Sequence, residues 1–507
     1  MENIVEKFKP LFSPRSVAFV GASNRPGKWG SIILGNLLGA GFEGRVYPVN
    51  PKEKTIQGLR AYRALADIPD RPDLAVIVVP PPAVSTVIDQ CITAGVRACV
   101  VITAGFAELD EAGARLQQEM VEKARAGGLL LVGPNCNGIM SPPEKLHVAM
   151  PPVYPPPGQV AIVAQSGNVA TSIARRVMKR GFGVSRFVSS GNEAVLHCED
   201  YLAYLADDPR TRVILSYVEG FRDGRRFLEI AGAVSRKKPI VILKAGGTEA
   251  GARAAMSHTA ALAGSDATFD AVCRQAGVVR ARDMDDLVNM GVSFVRQPLP
   301  GGRRAGIITA GGGWGVLAAD ACVRAGLQVP ALPPETLSEL DTFLPPWWNR
   351  GNPVDLVAGL QREHLWKGLE CLLRCDAVDG IILLGIMPAL PIKPLPPRPS
   401  PEVIEERQAD LLAAAGELFD RFMEMAHDFG KPVVVASEFP VHSPDLEIHM
   451  AARLGEREHV CYARPEDAAT VLAGLAAYAE NTRHPRPTPG RVLKKEAISG
   501  EAKQNVA

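Results

Sequence analysis

SVAFVGASNRPGKWGSIILGNLL, residues 16–38, begins with an unbroken run of apolar and small side chains, turns through glycine-rich sequence and ends in apolar residues at helical spacing. The opening run suits a strand buried on both faces, and the close suits a helix packed on it. A strand followed by a short turn and a helix is the start of a parallel α/β unit, because parallel neighbours need a long crossover. In the turn, Gly21, Gly27 and Gly30 let the backbone approach a phosphate-bearing ligand, whose charge the first N–H groups of the helix would meet. The spacing is not the standard G-x-G-x-x-G, and tight packing alone is the competing reading of these glycines.

Further runs of the same kind follow at 44–50, 74–81, 98–105 and 129–135, and this first block closes near Met140. The proline-rich stretch 141–158 is predicted as a stiff domain linker. Beyond it, strands are expected at 159–165, 185–191, 212–220 and 239–247, and again at 304–313, 379–387, 431–438 and 459–463. Both later blocks open with a strand, a Gly-rich turn and a helix, so they read as diverged copies of one unit. The fold class is α/β: a Rossmann-like domain at 1–145, flavodoxin-like parallel-sheet domains at 146–298 and 299–485, and a polar tail at 486–507. The prolines of 388–401 predict a surface loop, with an active-site lid as the alternative.

Bulk properties narrow the partners. The 507 residues carry 56 basic and 55 acidic side chains, a formal net charge of +1, so no global field attracts nucleic acid or an anionic membrane. The nine cysteines form no C-x-x-C pair and suit a reducing compartment. No segment has the length of uninterrupted apolar sequence that a membrane span needs, so the expectation is a soluble cytoplasmic protein acting on small molecules.

Four segments of the later blocks carry chemistry. KAGGTEAGARAAMSHTAALAGSDATFDAV, residues 244–272, presents His258 among small neighbours that leave room for a phosphorylated group. QSGNVATSI (165–173) and TAGGGWGVLAADA (309–321) each open a helix directly after a strand, as anion sites do. Two such helix ends could hold one phosphoryl group between them. Glu219 ends the strand in SYVEGFRDG (216–224), where a carboxylate could accept from one imidazole nitrogen and leave the other nucleophilic. After YPVNPK (47–52) the first block lacks the acidic ribose ligand of NAD-binding domains, which weakens an oxidoreductase reading.

Taken in order, SVAFVGASNRPGKWG, YPVNPK, ITAGFAE, GPNCNG, QSGNVATS, SSGNEA, YVEGF, SHTAALAGSD, TAGGGWGVLAADA and GNPVDL resemble the ADP-forming acyl-CoA synthetases, relatives of succinyl-CoA synthetase, to about residue 480. The resemblance implies coenzyme A binding by Gly21, Ser23, Lys28, Asn50, Pro51, Lys52, Thr103, Phe106 and Asn135. It also implies a phosphorylated His258 oriented by Glu219, with phosphate held by Ser166, Gly167 and Asn168 and by Gly311, Gly312 and Gly313. The implied reaction joins a small carboxylic acid to coenzyme A as ATP becomes ADP and phosphate, through acyl phosphate and phosphohistidine. The family's ATP-grasp region is not found in this sequence, so a separate beta subunit is expected to bind ATP/ADP and Mg2+ in a hetero-oligomer. The sequence departs from the family pattern at Val195 and His197, where acids are expected, at Thr309 or Ala310 for the usual Asn, and at Trp314 for Pro; Trp314 is expected to narrow or reshape the acyl pocket, and the departures together leave the identity of the acid and the turnover rate open. A coenzyme-A-binding regulator without turnover is the alternative these departures leave open.

Overall fold

The computed structural model describes residues 3–248, 250–251, 265–357, 362–386, 400–437, 454–455 and 457–483. The chain forms two units, one built on residues 1–175 and 183–281, the other on 176–182 and 282–483.

The first unit contains two sheets. In the first, β1 (Ser16–Val20), β2 (Arg45–Val49), β5 (Leu74–Ile77), β6 (Ala98–Val101) and β7 (Leu130–Val132) lie in the order β2-β1-β5-β6-β7, every pair parallel, while β3 (Thr55–Ile56) and β4 (Leu59–Arg60) form a small separate hairpin. Strands β1, β5, β6 and β7 are buried along their whole length, which is why each reads as an unbroken apolar run. Its helices are α1 (Ile4–Phe12), α2 (Trp29–Gly39), α3 (Pro81–Thr93) and α4 (Glu111–Ala126). Local chemistry sets their starts: prolines occupy the first positions of α3, and the Asp110 side chain accepts the Gly113 N–H at 2.8 Å to cap α4.

The second sheet has the order β14-β13-β12-β10-β11-β8-β9. Strands β10 (Pro157–Ala164), β11 (Val184–Ser189), β12 (Val213–Val218), β13 (Ile240–Lys244) and β14 (Val279–Arg280) are parallel, joined through α5 (Gly167–Lys179), α6 (Cys198–Asp207), α7 (Gly224–Ser235) and α8 (Asp266–Ala276). The stretch predicted as a linker does more than connect. Strands β8 (Gly138–Ser141) and β9 (Leu146–Ala149) form a hairpin that pairs antiparallel with β11 and extends this sheet. The prolines flank β9 without interrupting it, and its four residues are all buried, so a short strand hides between two proline clusters.

The second unit begins with α9 (Met284–Arg296) and contains a sheet of order β16-β15-β17-β18-β19, all parallel. Its strands are β15 (Ala305–Thr309), β16 (Val354–Asp355), β17 (Gly380–Leu384), β18 (Val433–Ala436) and β19 (Cys461–Tyr462), with helices α10 (Gly312–Arg324), α11 (Pro334–Asp341), α12 (Arg362–Arg374), α13 (Pro401–Phe429) and α14 (Pro465–Arg483). The segment expected as a loop or lid lies outside the described residues up to position 399, as does the polar tail 486–507. No helix among the described residues is long and apolar enough to cross a membrane.

Counting parallel strands in chain order, all three sheets run 2-1-3-4-5. The repeat expected between the second and third blocks therefore extends to the first. In this order the first strand sits beside the switch point, and the turn that follows it faces the crevice where ligands bind. The three turns singled out for their glycines occupy that one position in their respective sheets.

Candidate functional site

A cavity of about 770 Å³ opens at the carboxyl ends of the first sheet's strands. Gly21, Ser23 and Lys28 enter it from the turn after β1, Asn50 and Lys52 from the turn after β2, Thr103 from the end of β6, and Asn135 from the end of β7. Glycine at 21 is required twice over: its φ is +92°, and a Cβ there would lie 2.1 Å from the Val78 carbonyl oxygen. A Cβ on Gly30 would lie 2.0 Å from the Gly21 oxygen, so α2 starts in direct contact with the turn, and its first residues, Trp29 and Gly30, line the cavity. Arg25, Lys28 and Lys52 supply cationic donors there.

Several predicted residues build this wall. The Asn50 side chain donates to the Ala22 carbonyl at 2.8 Å and accepts the Lys52 N–H at 2.8 Å, tying the two turns together. Thr103 Oγ1 donates to the Val79 carbonyl at 2.7 Å. Pro51 is exposed and Phe106 is buried in the hydrophobic core, and neither lines the cavity. Its lining at that strand end comes from Ile102, Thr103 and Ala104.

The far wall of the cavity is also the wall of the second predicted site. Asn137 lines the cavity, and a Cβ on Gly167, the first residue of α5, would lie 2.2 Å from the Asn137 side-chain carbon. Only glycine lets the helix end approach this closely. The Asn137 N–H donates to Ser189 Oγ at 2.9 Å, and Asn135 Nδ2 donates to Asn192 Oδ1 at 3.2 Å. Backbone bonds from Asn192 to Pro134, Ala194 to Gly133 and Leu196 to Leu131 lay the SSGNEA segment along the end of β7. The Asn192 amide donates to Glu108 Oε2 at 2.5 Å and to Gln117 Oε1 at 2.9 Å. Burial works against ionisation of Glu108, but the bonds from Asn192 and from the Gly105 and Phe106 N–H groups hold its carboxyl below the usual range.

Glu219 follows β12, buried to 7 % exposure, and its N–H donates to Gln165 Oε1 at 2.6 Å. Gln165 directly precedes Ser166 and the start of α5, so this bond ties the Glu219 strand end to the helix turn. Gln165 Nε2 donates in turn to the Gly220 carbonyl at 2.9 Å and to Glu193 Oε2 at 3.1 Å. Burial pushes the Glu193 carboxyl up to about 7 in spite of bonds from Ser190 and Gln165. Lys244 ends β13 and leads toward the histidine segment, and its burial lowers the ammonium below its ordinary value. His258 itself lies outside the described residues.

In the second unit, Gly311 caps α10 and Gly312 and Gly313 form its first turn, all three exposed. Thr309, which stands where the family pattern has Asn in one register, is buried; its hydroxyl accepts the Gly311 N–H at 3.1 Å and donates to the Gly311 carbonyl at 2.7 Å, closing the turn. Trp314 is half-buried. Trp348 packs in the core of this unit and donates from its indole to Asp341 at 2.8 Å, while Trp347 is 73 % exposed. Val195 is half-buried against the first sheet's core, and the His197 N–H donates to Asp200 at 2.9 Å at the start of α6. Among the described residues no group of three or more His, Cys, Asp or Glu side chains is placed to hold a metal ion.

Models of known families match along the chain in the same order as the sheets: a CoA binding domain at 15–142, a succinyl-CoA ligase like flavodoxin domain at 157–294 and a Ligase-CoA domain at 305–386. The alpha subunit of the ADP-forming acetate–CoA ligase II of Pyrococcus furiosus is 38% identical over 472 residues, which cover 93% of this chain and 98% of that one. The chain belongs to the ADP-forming acyl-CoA synthetases. The alpha subunit of the same organism's ADP-forming acetate–CoA ligase I is 42% identical over 401 residues, 78% of this chain and 85% of that one. Among solved structures, the dinucleotide-forming acetyl-coenzyme A synthetase 1 of Ca. Korarchaeum cryptofilum, in complex with phosphate and ADP, superposes with a TM-score of 0.80 at 33% identity, over 97% of this chain and 99% of that one. Family, α/β fold class and ligase membership thus stand as the motifs predicted.

Four residues of this acyl-CoA synthetase escaped the sequence reading: Asn137, Gln165, Asn192 and Glu193. All lie inside motifs quoted for the family, in GPNCNG, QSGNVATS and SSGNEA. Their signal was present, but a motif does not say which of its polar side chains face one another across two loops.

Proposed function

We propose that this chain is the alpha subunit of an ADP-forming acyl-CoA synthetase, converting a carboxylic acid, coenzyme A and ATP to acyl-CoA, ADP and phosphate. In this reading the segments 1–145, 146–298 and 299–485 divide the work. The first binds coenzyme A, and the second carries the phosphorylated His258 and its orienting carboxylate Glu219. The third adds a phosphate-holding turn at Gly311, Gly312 and Gly313 to the one at Ser166, Gly167 and Asn168. A separate ATP-grasp beta subunit supplies ATP or ADP and Mg2+, in keeping with the alpha-subunit names of the relatives. We place the enzyme in the cytoplasm, since eight of its nine cysteines are buried and all are free.

The observation that carries this reading is the contact between Gly167 and Asn137. It sets a phosphate-binding helix end against the wall of a cavity suited to a phosphate-bearing ligand, so a thiol held in that cavity would reach an acyl phosphate held at the helix. The reaction forms a C–S bond and breaks the C–O bond to phosphate, with the thiol proton passing to solvent or phosphate. Before this step the γ-phosphoryl group passes from ATP to His258, releasing ADP, and from His258 to a carboxylate oxygen of the acid; the phosphate expelled by the thiol then leaves as inorganic phosphate, stabilised by helix-terminal N–H groups. A regulator without turnover loses ground, because the relatives at this identity are named as ligases and both His258 and Glu219 are retained.

The test is phosphorylation of the purified chain mixed with its ATP-grasp partner and labelled ATP, comparing wild type with His258→Ala under alkaline conditions. Acid-labile label that requires His258 is the expected result. Absence of label on the wild-type chain, with a partner shown to bind both ATP and this chain, would overturn the proposal.

A further inference from the structure

Glu193 combines two costly features. It is a non-glycine residue in left-handed backbone, with φ of +51°, and it is an acid only 6 % exposed. Costs of this kind persist where the surrounding structure enforces them, and they gather at functional sites. Here the enforcing contacts are specific. Ser190 Oγ donates to Glu193 Oε1 at 2.7 Å, Gln165 Nε2 donates to Oε2 at 3.1 Å, and the Cys198 N–H at the start of α6 also points at the carboxylate.

The Gln165 amide is used on both sides. Its oxygen accepts the N–H groups of Glu219 and Gly220, at 2.6 and 3.3 Å, and its nitrogen donates to the Gly220 carbonyl and to Glu193. An amide can be turned either way round, and an acceptor at Glu193 fixes which end faces Glu219. We propose that Glu193 is a positioning residue for phosphoryl transfer: through Gln165 it holds the strand end bearing Glu219 in register with the first turn of α5. This inference rests on the synthetase reading above.

Three donors converge on the carboxyl, so the ionised, acceptor-only form is the one that fits. Protonation adds a buried O–H donor that has an acceptor only if the Ser190 hydroxyl turns its own hydrogen to the Ala164 carbonyl, 3.3 Å away, and accepts from the acid. Among the described residues, the titratable groups facing Glu193 are Glu199, the Cys198 thiol and the Tyr201 phenol, all buried on α6. Burial, with the Glu199 charge adding to it, disfavours the ionised form, so loss of the fit falls near neutral pH.

Glu193→Gln keeps the size of the side chain and mimics the protonated acid. The experiment measures the rate of His258 labelling in the alpha–beta complex from pH 6 to 8 for wild type, Glu193→Gln and Glu193→Ala. Coenzyme A affinity and thermal melting are checked for each. The expected result is that wild type and Glu193→Gln label at similar rates at pH 6, and that wild type is about tenfold faster at pH 8, the worth of roughly one hydrogen bond to a charged group. Coenzyme A affinity stays within about twofold, as one lost hydrogen bond outside the cavity allows. Equal rates and equal pH profiles for wild type and Glu193→Gln would overturn the inference, as would a loss in Glu193→Ala that tracks its melting temperature alone. Failure of wild type itself to label would strike the synthetase reading instead.

Discussion

Replacing Gly167 with alanine tests the shared wall directly. The new Cβ would stand 2.2, 2.4 and 2.6 Å from Cγ, Nδ2 and Oδ1 of Asn137, where ordinary contact begins near 3.4 Å. Asn137 therefore has to move its side chain by about 1 Å, the gap between those two figures. Its backbone cannot follow, because its N–H is bound to Ser189 and its carbonyl accepts the Met150 N–H at 2.8 Å. The side chain turns into the cavity that it lines. Overpacking of this kind costs about 2 kcal/mol, the middle of its usual range, and alanine returns up to about 1 kcal/mol of helix propensity, leaving a net loss of about 1–2 kcal/mol. That is a fall in Tm of roughly 2–8 °C for a domain of this size. Calorimetry should show coenzyme A binding at least about tenfold weaker, the equivalent of about 1.4 kcal/mol. Asn137→Ala in the Gly167→Ala background removes the overlap and should restore Tm, a coupling of about 1 kcal/mol or more. Wild-type Tm and coenzyme A affinity in Gly167→Ala, or no recovery in the double variant, would refute the reasoning.

Other outcomes follow from single contacts. Gly313 in the first turn of α10 has no heavy atom within 4 Å of a Cβ, so Gly313→Ala should leave stability unchanged or raise it by up to about 1 kcal/mol, while labelling of His258 falls. Lys52→Ala should weaken coenzyme A binding about fivefold at low salt, with the difference narrowing in 0.5 M salt as screening grows (roughly a 4 Å Debye length). Glu193 has a folded pKa raised to about 7 from its ordinary 4.5, so its stability contribution is full below 4.5 and is lost as pH rises through 7. Glu193→Gln should accordingly melt above wild type at pH 8 and lose that advantage by pH 5, gaining stability as it loses transfer rate. Trp348→Ala should cost about 3–5 kcal/mol by emptying a core position, whereas Trp347→Ala should leave urea unfolding within about 0.5 kcal/mol of wild type.

The sequence read most clearly where burial was complete. β1, β5, β6 and β15 are covered on both faces, and unbroken apolar runs announce them. β9 was missed because its buried LHVA is framed by prolines, which dominate any reading by composition. β16 is two residues long, too short for any periodic pattern. In the cavity, Gly21 and Lys28 were legible from the glycine-rich turn that follows the first strand, and Asn135 from the resemblance of GPNCNG to the family's motif. Phe106 lies three residues beyond Thr103, yet Gly105 adopts a φ of +103° between them, and the aromatic ring is buried in the core. Neither Gln165 nor Glu193 could be ranked from sequence, since their roles depend on two loops separated by 28 positions meeting through side chains.

The β8–β9 hairpin bears on how this protein can be cut. A fragment ending at residue 145 would keep β8 and discard β9, and would carry away from the second sheet the strand that covers β11. Both pieces would then present bare main-chain edges, on β8 in one and on β11 in the other, inviting chain-to-chain pairing and insolubility. A cut after Ala149 leaves the N-terminal piece with an intact hairpin and still uncovers β11. A C-terminal fragment that starts between Asn135 and Gly138 takes the hairpin with it and keeps β11 covered, leaving the cavity's Asn135 behind on the other piece.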